Sequence, residues 1–435
     1  MSAERSAGLL RVEEALERVL EGAAPLAGEL VELAEAAGRV LAAPVVATTA
    51  LPPWDNSAMD GFAVRAADLL GATPADPVRL RVVGEVAAGH VPPRAVDPGT
   101  ALRITTGAIL PADADTVVPV EETDAPPGVA ELPAMVAIRV AAPSGANVRR
   151  AGEDVRSGTA VLERGRVLGP SAVALAAASG AARVLVHRRP RVGILATGDE
   201  LTPAGQPLGP GRIYDSNTPA LVVQARAAGA LARSFGIALD DPQVLTERLA
   251  AAVAWADVVV VSGGVSVGAH DHVRDAFAAL GEVAFWRVAM QPGKPLAFGR
   301  TRAGRGGDRA DPERPVALFG LPGNPVSTFV TFELFVRPFV RALAGRPAAS
   351  DRRRVSAVLA EPVTKSPGRR AFLRVRLEAD PSGSGRLLAW RAGGQGSHVL
   401  SALAAADGLA VISEDVPGLP AGATVEVWQL EDEER

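Results

Sequence analysis

The sequence predicts a multidomain α/β and β protein, on three observations. Its 435 residues exceed one ordinary domain and suggest roughly three or four compact units. From residue 190, continuous apolar strands such as RVGILAT, DVVVVSGG and PVALFG alternate with helical stretches, the rhythm of a parallel sheet covered on both faces. Residues 51–145 instead carry short Val-, Leu- and Ile-containing runs broken by Pro and Gly, and the segment after 346 also reads as a small β-domain.

Taken in order, Leu9, Val12, Leu16, Val19 and Leu20 recur at three- and four-residue spacing, with Glu13, Glu14, Glu17 and Arg18 opposite, so an amphipathic helix is expected up to Gly22. Residues 30–47 show another short helical pattern, interrupted by Gly38 and Pro44. RLRVVGEV, TALRITTG, DTVVPVEET and MVAIRV predict a small antiparallel β-domain with little helix. The turn-rich GANVRRAGEDVRSGTAVLERG and an Ala-rich helix over SAVALAAASG then return to the scaffold of the first fifty residues. In the α/β part, helices are expected over TPALVVQARAAGA, after Pro242 and over HVRDAFAAL. Residues 300–314, rich in Gly, Arg and Asp, read as an exposed hairpin loop, a solvated insertion. A helix through TFELFVRPFVRALAG precedes the charged DRRR at 351–354, a domain boundary. The expected parts are thus 1–50 with 146–182, 51–145, 183–345 and 346–435, the N-terminal helix packing on the α/β part.

Hydrophobic residues make up 48% of the chain but aromatics only 4%, so Val, Leu and Ala fill a globular core. Lys plus Arg number 45 against 49 Asp plus Glu, a net charge of -4, which gives no global attraction for nucleic acid or an anionic membrane. Any anion must be caught locally. With no cysteine there are no disulfides, thiolate metal sites, iron–sulfur ligands or Cys nucleophile, and sulfur chemistry has to come from a substrate. The acidic residues near the N-terminus and the absence of a long charge-free stretch point to a cytoplasmic protein with no membrane span.

Candidate chemistry sits mainly in the α/β part. Where DVVVVSGG runs into GVSVGAHD, Ser262, Gly263, Gly264, Ser266 and Gly268 can turn successive backbone N–H groups and a helix N-terminus toward a phosphate. A tight packing turn explains the glycines equally well. Asp271 tips the balance, because a carboxylate beside an anion nest calls for a bridging cation. After RVGILAT, Asp199 and Glu200 stand at a carboxyl edge of the sheet, where ligands collect in open α/β folds. The bland alternative is an acidic helix start with Asp199 as N-cap. With Asp271 on a neighbouring strand, however, Glu200 offers oxygen ligands of the kind Mg²⁺ takes alongside phosphate. In MQPGKPLAFG, Lys294 occupies a restricted turn, and LPGNPV places Pro322 and Pro325 around Gly323 and Asn324 in a rigid loop. Arg287 adds a cation near the same edge. In DNSAMDG, Asp55, Asn56, Ser57 and Asp60 read either as an Asx-type network or as a pocket rim. Thr105 and Thr106, and Arg149, Arg150, Glu153 and Asp154, stay equally open.

In this order, DNSAMDGFAVR, RITTGAILP, NVRRAGEDV, ILATGDEL, IYDSN, SGGVSVGAHD, QPGKPLAFG and LPGNPVS resemble the MoeA and gephyrin E-domain family, and GQGSHVLSALAAADGL resembles its last domain. The resemblance covers nearly the whole chain. It implies a helical and extended linker domain, a β-domain, a MogA-like molybdopterin-binding α/β domain and a C-terminal β-barrel, assembled as a homodimer whose active site lies between subunits. It implies molybdenum cofactor biosynthesis: Mg²⁺-dependent insertion of molybdate into adenylylated molybdopterin with release of AMP. By motif position, the resemblance assigns site roles to Asp60, Thr106, Asp154, Glu200, Asp240, Asp271, Lys294, Pro322, Pro325, Arg374 and Ser397. Arg287 and Gln291 stand where some relatives carry lysine. Arg287 keeps that charge and Gln291 does not. Implied partners are a MogA-type adenylyltransferase and molybdoenzymes or their chaperones. Two rival readings are a MogA-type adenylyltransferase and a non-catalytic molybdopterin-binding scaffold. The terminal DNSAMDG and GQGSH regions argue against the first, and the carboxylates of TGDEL and SVGAHD against the second.

Overall fold

Every position of VVVVS at Val258–Ser262 is buried, as a strand covered on both faces must be. The computed structural model describes residues 9–126, 128, 131–239, 241–264, 272–301, 314–346 and 352–430. They fall into two compact units, Met1–Glu29 with His187–Arg435, and Leu30–Val186.

In the first unit six strands, β1 (Arg191–Thr197), β2 (Leu231–Ala238), β3 (Val258–Ser262), β4 (Gly281–Arg287), β5 (Pro295–Thr301) and β6 (Val316–Leu321), form one sheet in the order β2-β1-β3-β6-β5-β4. The first four of that order are parallel. β5 runs antiparallel to both its neighbours, so the expected all-parallel sheet is mixed at one edge. The reason lies in the connection: residues 288–294 between β4 and β5 are too few for a crossover, which needs about a dozen residues, and the chain folds back as a hairpin.

Alternate residues of the central strands feed two cores. Val192, Ile194, Val260 and Phe319 pack with Val12, Ala15 and Val19 of the N-terminal helix (Val12–Leu20), as the apolar spacing predicted. Leu195, Val259, Val261 and Leu318 pack with Leu245, Leu249 and Phe277 of the helices Pro242–Trp255 and His272–Leu280. Each fully buried Val, Leu or Phe among them stabilises the fold by roughly 1.5–3 kcal/mol. The Pro242–Trp255 helix starts where its sequence says it should: Asp241 accepts from the N–H groups of Gln243 and Val244, and Pro sits in the first turn. After β6 the helix Pro325–Thr331 passes through a π-helical turn, Phe332–Val336, into Arg337–Leu343.

The C-terminal part of this unit is the β-barrel implied by the resemblance. Strands Arg370–Ala379, Leu387–Arg391, Arg354–Leu359, Thr424–Gln429 and Gly408–Ile412 pair in that order, and the last closes on the first. Closure is possible because Arg370–Ala379 is long: residues 371–375 pair on one side and 375–379 on the other. Met290–Gln291 pairs with Arg370–Ala371, tying the barrel to the segment that carries Lys294.

The second unit holds a five-stranded sheet, Thr116–Pro119, Gly61–Val64, Thr100–Ile104, Val78–Val86 and Met135–Ile138 in spatial order. It is antiparallel except between Val78–Val86 and Thr100–Ile104. The intervening residues 87–99 are long enough to bring the chain back to its starting end, which the expectation of an antiparallel domain overlooked. The expected helix over 30–47 is absent beyond a 3-10 turn at Leu33–Glu35. Its apolar residues are spent on long-range pairing instead, Val45 with Leu162, Val40 with Val167 and Leu41 with Val186. The Ala-rich helix forms at Pro170–Ala178. Among the described residues no helix is long and apolar enough to cross a membrane. Of the 300–314 insertion, residues 302–313 lie outside the described residues.

Candidate active site

β1, β3 and β6 are neighbours and parallel, so their carboxyl ends and the turns that follow meet in one place. There they form one wall of a cleft of about 1140 Å³, whose other wall comes from the barrel. This is the edge at which open α/β sheets bind ligands.

Each strand contributes a distinct turn. β1 leads through Gly198 to Glu200, which is exposed on the cleft wall. No helix starts at Asp199: the chain enters a short strand, Leu201–Thr202, that pairs with Ile213–Tyr214. The alternative that made Asp199 an N-cap therefore fails. β3 ends in Ser262, Gly263 and Gly264, with φ of 98° and 66° at the two glycines. A side chain at Gly263 would place its Cβ 2.7 Å from the Thr197 carbonyl oxygen, so only glycine lets these two strand ends approach. Ser266, Gly268 and Asp271, and also Asp240, lie outside the described residues. β6 leads into Pro322, Gly323, Asn324 and Pro325, all in the wall.

Asparagine side chains stitch these turns together. Asn217 Nδ2 donates to Ser262 Oγ and to the Gly323 carbonyl oxygen, both at 2.8 Å. Asn324 Nδ2 donates to Ser397 Oγ at 3.0 Å, and the Val326 N–H donates to the Ser397 carbonyl oxygen at 3.1 Å. Ser397 belongs to the barrel, in the loop before the helix Leu400–Ala404.

The cations define the electrostatics. Arg374 is 1% exposed, donates from Nη2 to the carbonyl oxygens of Gly394 and Gly396 at 3.0 Å each, and leaves its buried Nε without a partner. Burial lowers its pKa from the usual value. Lys294 is also held below the ordinary lysine value, by burial first and then by the like charges of Arg369 and Arg287. Among the described residues neither Arg374 nor Lys294 has a carboxylate partner, whereas Arg391 on the same wall is paired with Glu361 at 2.7 Å. A cleft that desolvates and crowds unpaired cations is set up for an anion.

Of the residues singled out from sequence, Glu200, Ser262, Gly263, Gly264, Lys294, Pro322, Pro325, Arg374 and Ser397 line this cleft together, with Gln291 beside them. Arg287 is exposed at the end of β4 and outside the lining, though its charge reaches Lys294. Asp60, Thr106 and Asp154 belong to the other unit. There Asp60 Oδ1 accepts from the Thr106 N–H at 2.6 Å and from its hydroxyl at 2.9 Å, and Asp55 binds Arg150 and the Ala151 N–H. These bonds join distant segments and are not a local Asx-type network; the local turn bonds here come from Ser57, whose hydroxyl donates to the Met59 carbonyl oxygen and accepts from the Met59 N–H. Sequence reasoning missed Asp215, Arg369 and His398, which also line the cleft. The signal for Arg369 was present in SPGRR, a Pro–Gly turn followed by two cations.

Comparison with known proteins decides what this architecture is. Family models match in sequence order: the MoeA N-terminal region (domain I and II) over residues 10–180, a probable molybdopterin binding domain over 193–342, and the MoeA C-terminal region (domain IV) over 356–430. The chain is 43% identical over 406 residues to molybdopterin molybdenumtransferase 2 of Mycobacterium tuberculosis, covering 92% of this chain and 94% of that one. The chain belongs to the MoeA family. A MoeA-family enzyme from Nostoc, named molybdopterin molybdenumtransferase, is 43% identical over 73% of this chain and 70% of its own length. A crystal structure of a molybdopterin biosynthesis MoeA protein from Pyrococcus horikoshii superposes with a TM-score of 0.79 at 33% identity, over 98% of this chain and 100% of that one. Within this MoeA-family chain the cleft thus spans the molybdopterin-binding region and the C-terminal region.

Proposed function

We propose that this chain is an enzyme of molybdenum cofactor biosynthesis that inserts molybdate into adenylylated molybdopterin with release of AMP. The carrying observation is that Arg374 and Lys294 face one cleft with no carboxylate partner among the described residues, next to a strand-end turn of glycines. Molybdate is a compact oxyanion and needs such cations and N–H or O–H donors, not carboxylates. Arg374, Lys294 and the Ser397 hydroxyl supply them. The Ser262–Gly264 turn, with Ser266 and Gly268, would take the substrate phosphate, and the substrate's own dithiolene sulfurs take the metal, in keeping with a protein without cysteine. The full-length match to molybdenumtransferases disfavours both a free-standing MogA-type adenylyltransferase and a scaffold without catalysis.

Mg²⁺ fits the residues present. Glu200 is an exposed carboxylate on the cleft wall, and Asp215 lies on the same wall. The described residues hold no cluster of three acidic or imidazole ligands. Mg²⁺ does not require one, since it keeps several waters and binds through one or two carboxylates plus substrate phosphate. Glu200 and Asp271 would hold it, and the chemistry it would supply is screening of negative charge on the phosphoanhydride. Asp60, Thr106, Asp154 and Asp240 are proposed to complete the catalytic set across a homodimer. We further propose a cytoplasmic protein that takes its substrate from a MogA-type adenylyltransferase and delivers to molybdoenzymes or their chaperones, with no nucleic-acid or membrane partner.

The test is AMP release from purified molybdopterin-AMP with Mg²⁺ and molybdate, followed by reconstitution of an apo-molybdoenzyme. Molybdate-dependent AMP release with active cofactor is the expected result. Saturable binding without turnover would instead support a scaffold.

A further inference from the structure

Asn324 occupies the N-cap position of the helix Pro325–Thr331, yet its side chain makes no capping hydrogen bond. An asparagine there ordinarily accepts from the first-turn N–H groups. Here its Nδ2 reaches across to the barrel and donates to Ser397 Oγ at 3.0 Å. The local stabilisation is given up for a contact inside the cleft. A second asparagine-to-serine bond lies in the same cleft: Ser262 Oγ accepts at 2.8 Å from Asn217, the first residue of the helix Asn217–Ala227.

The polarity of that contact matters. A serine hydroxyl has one proton and acceptor lone pairs. With the Asn324 amide donating to the oxygen, and no described group accepting the Ser397 proton, the hydroxyl is left to offer its proton to the cleft. Arg374 and Lys294, both donors only, share this cleft lining, so the Ser397 hydroxyl adds to the donors open to an anion, while the acceptors Glu200 and Asp215 follow the strand ends of the α/β wall. At neutral pH molybdate is fully deprotonated and accepts at all its oxygens, whereas hydrogen phosphate carries an O–H that needs an acceptor.

We propose that Asn324 is a specificity-determining positioning residue: through the Ser397 hydroxyl it makes the cleft favour a fully deprotonated tetrahedral oxyanion over hydrogen phosphate. The proposal rests on the reading of this cleft as the oxyanion site. Asn324→Asp reverses the polarity, because the carboxylate accepts the serine proton and turns a lone pair toward the bound ion. Asn324→Ala leaves the hydroxyl free to rotate, while the bond from the Val326 N–H to the Ser397 carbonyl oxygen still docks the loop.

Calorimetric titration of the full-length protein with molybdate and, separately, with inorganic phosphate tests this. For a hydrogen bond to a charged ligand we expect Asn324→Ala to weaken molybdate about tenfold, and Asn324→Asp to lower the molybdate-to-phosphate affinity ratio by more than that. The same Asn324→Ala change should have no effect on molybdate in a Ser397→Ala background. An unchanged affinity ratio in Asn324→Asp, or an equal molybdate loss in both backgrounds, overturns the proposal while leaving the oxyanion site standing. Wild-type protein that binds neither anion overturns the site reading and the proposal with it.

Discussion

The side chain of Gln395 accepts from the backbone N–H of Arg374 and donates to the Arg374 carbonyl oxygen, each at 3.0 Å. Arg374 returns the contact through the same loop, its guanidinium binding the carbonyl oxygens of Gly394 and Gly396. The loop that presents Ser397 is therefore held from both ends of one residue. Arg374 is an anchor as well as a charge.

That double role predicts that Arg374→Lys is not conservative. Nη2 alone binds both carbonyls and leaves the buried Nε for the cleft, whereas lysine keeps the charge on a single nitrogen and cannot anchor the loop and meet the anion from separate donors. We expect the KM for molybdate to rise about tenfold or more, the scale of lost hydrogen bonds to a charged group, and the melting temperature to fall. Steady-state AMP release over a molybdate series checks it. An unchanged KM would leave Arg374 only its anchoring role.

Lys294 predicts a pH dependence. Burial, then Arg369 and Arg287, lower its pKa. The ammonium, which holds the anion, is lost as pH rises through that lowered value, so molybdate binding should fade at a lower pH than an ordinary lysine would allow. Replacing Arg369 with Gln removes a like charge and raises the Lys294 pKa. Its alkaline limit should move upward even if binding is weaker at every pH. Titrations of molybdate affinity from neutral to alkaline pH in both proteins decide this, and an immobile limit would exclude Lys294 as the titrating group.

A stability prediction follows from Glu333 in the π-helical turn. Its Oε2 accepts from Arg352 Nε and Nη2 at 3.0 and 2.9 Å, and Oε1 accepts from Gln224 at 2.7 Å, with the Glu333 and Arg352 side chains 2% and 7% exposed. Removing one partner of such a pair strands a buried charge. Glu333→Ala should cost about 3–5 kcal/mol, while Glu333→Leu with Arg352→Met should recover only part of that, because buried Arg337, 3.7 Å from the same carboxylate oxygen, still loses this partner. Urea unfolding midpoints distinguish the two. A mild Glu333→Ala would mean that solvent reaches the pair.

These residues also show where the sequence was legible. β1, β3 and β6 announce themselves as unbroken apolar runs, and the turns at their carboxyl ends carry the Gly, Pro and polar residues that a ligand edge needs, so most of the cleft's α/β wall could be named in advance. The antiparallel placement of β5 could not, because strand direction depends on connection length and not on apolar pattern. Residues 30–47 misled for a related reason: Leu41 and Val45 pair with Val186 and Leu162, far along the chain, and a local window sees only their spacing. The pairing of Glu333 with Arg352 and that of Asn324 with Ser397 cross between domains, so the charge and the amide were visible but their partners were not.

Asp60 separates anchoring from chemistry. One carboxylate oxygen already holds the Thr106 N–H and hydroxyl. An amide oxygen can still accept both bonds, though more weakly than a carboxylate, so Asp60→Asn should keep the loop at a cost of about 1 kcal/mol. What it loses is the negative charge. If Asp60 takes part in turnover as a carboxylate, AMP release should fall about tenfold or more with the KM for molybdate little changed, the pattern of an interaction made in the transition state. Asp60→Ala should reproduce that loss and add a drop in stability. An Asp60→Asn protein with wild-type turnover would reduce Asp60 to the anchor of the Thr106 loop, and attention would pass to Asp154 as the remaining acidic candidate of that unit.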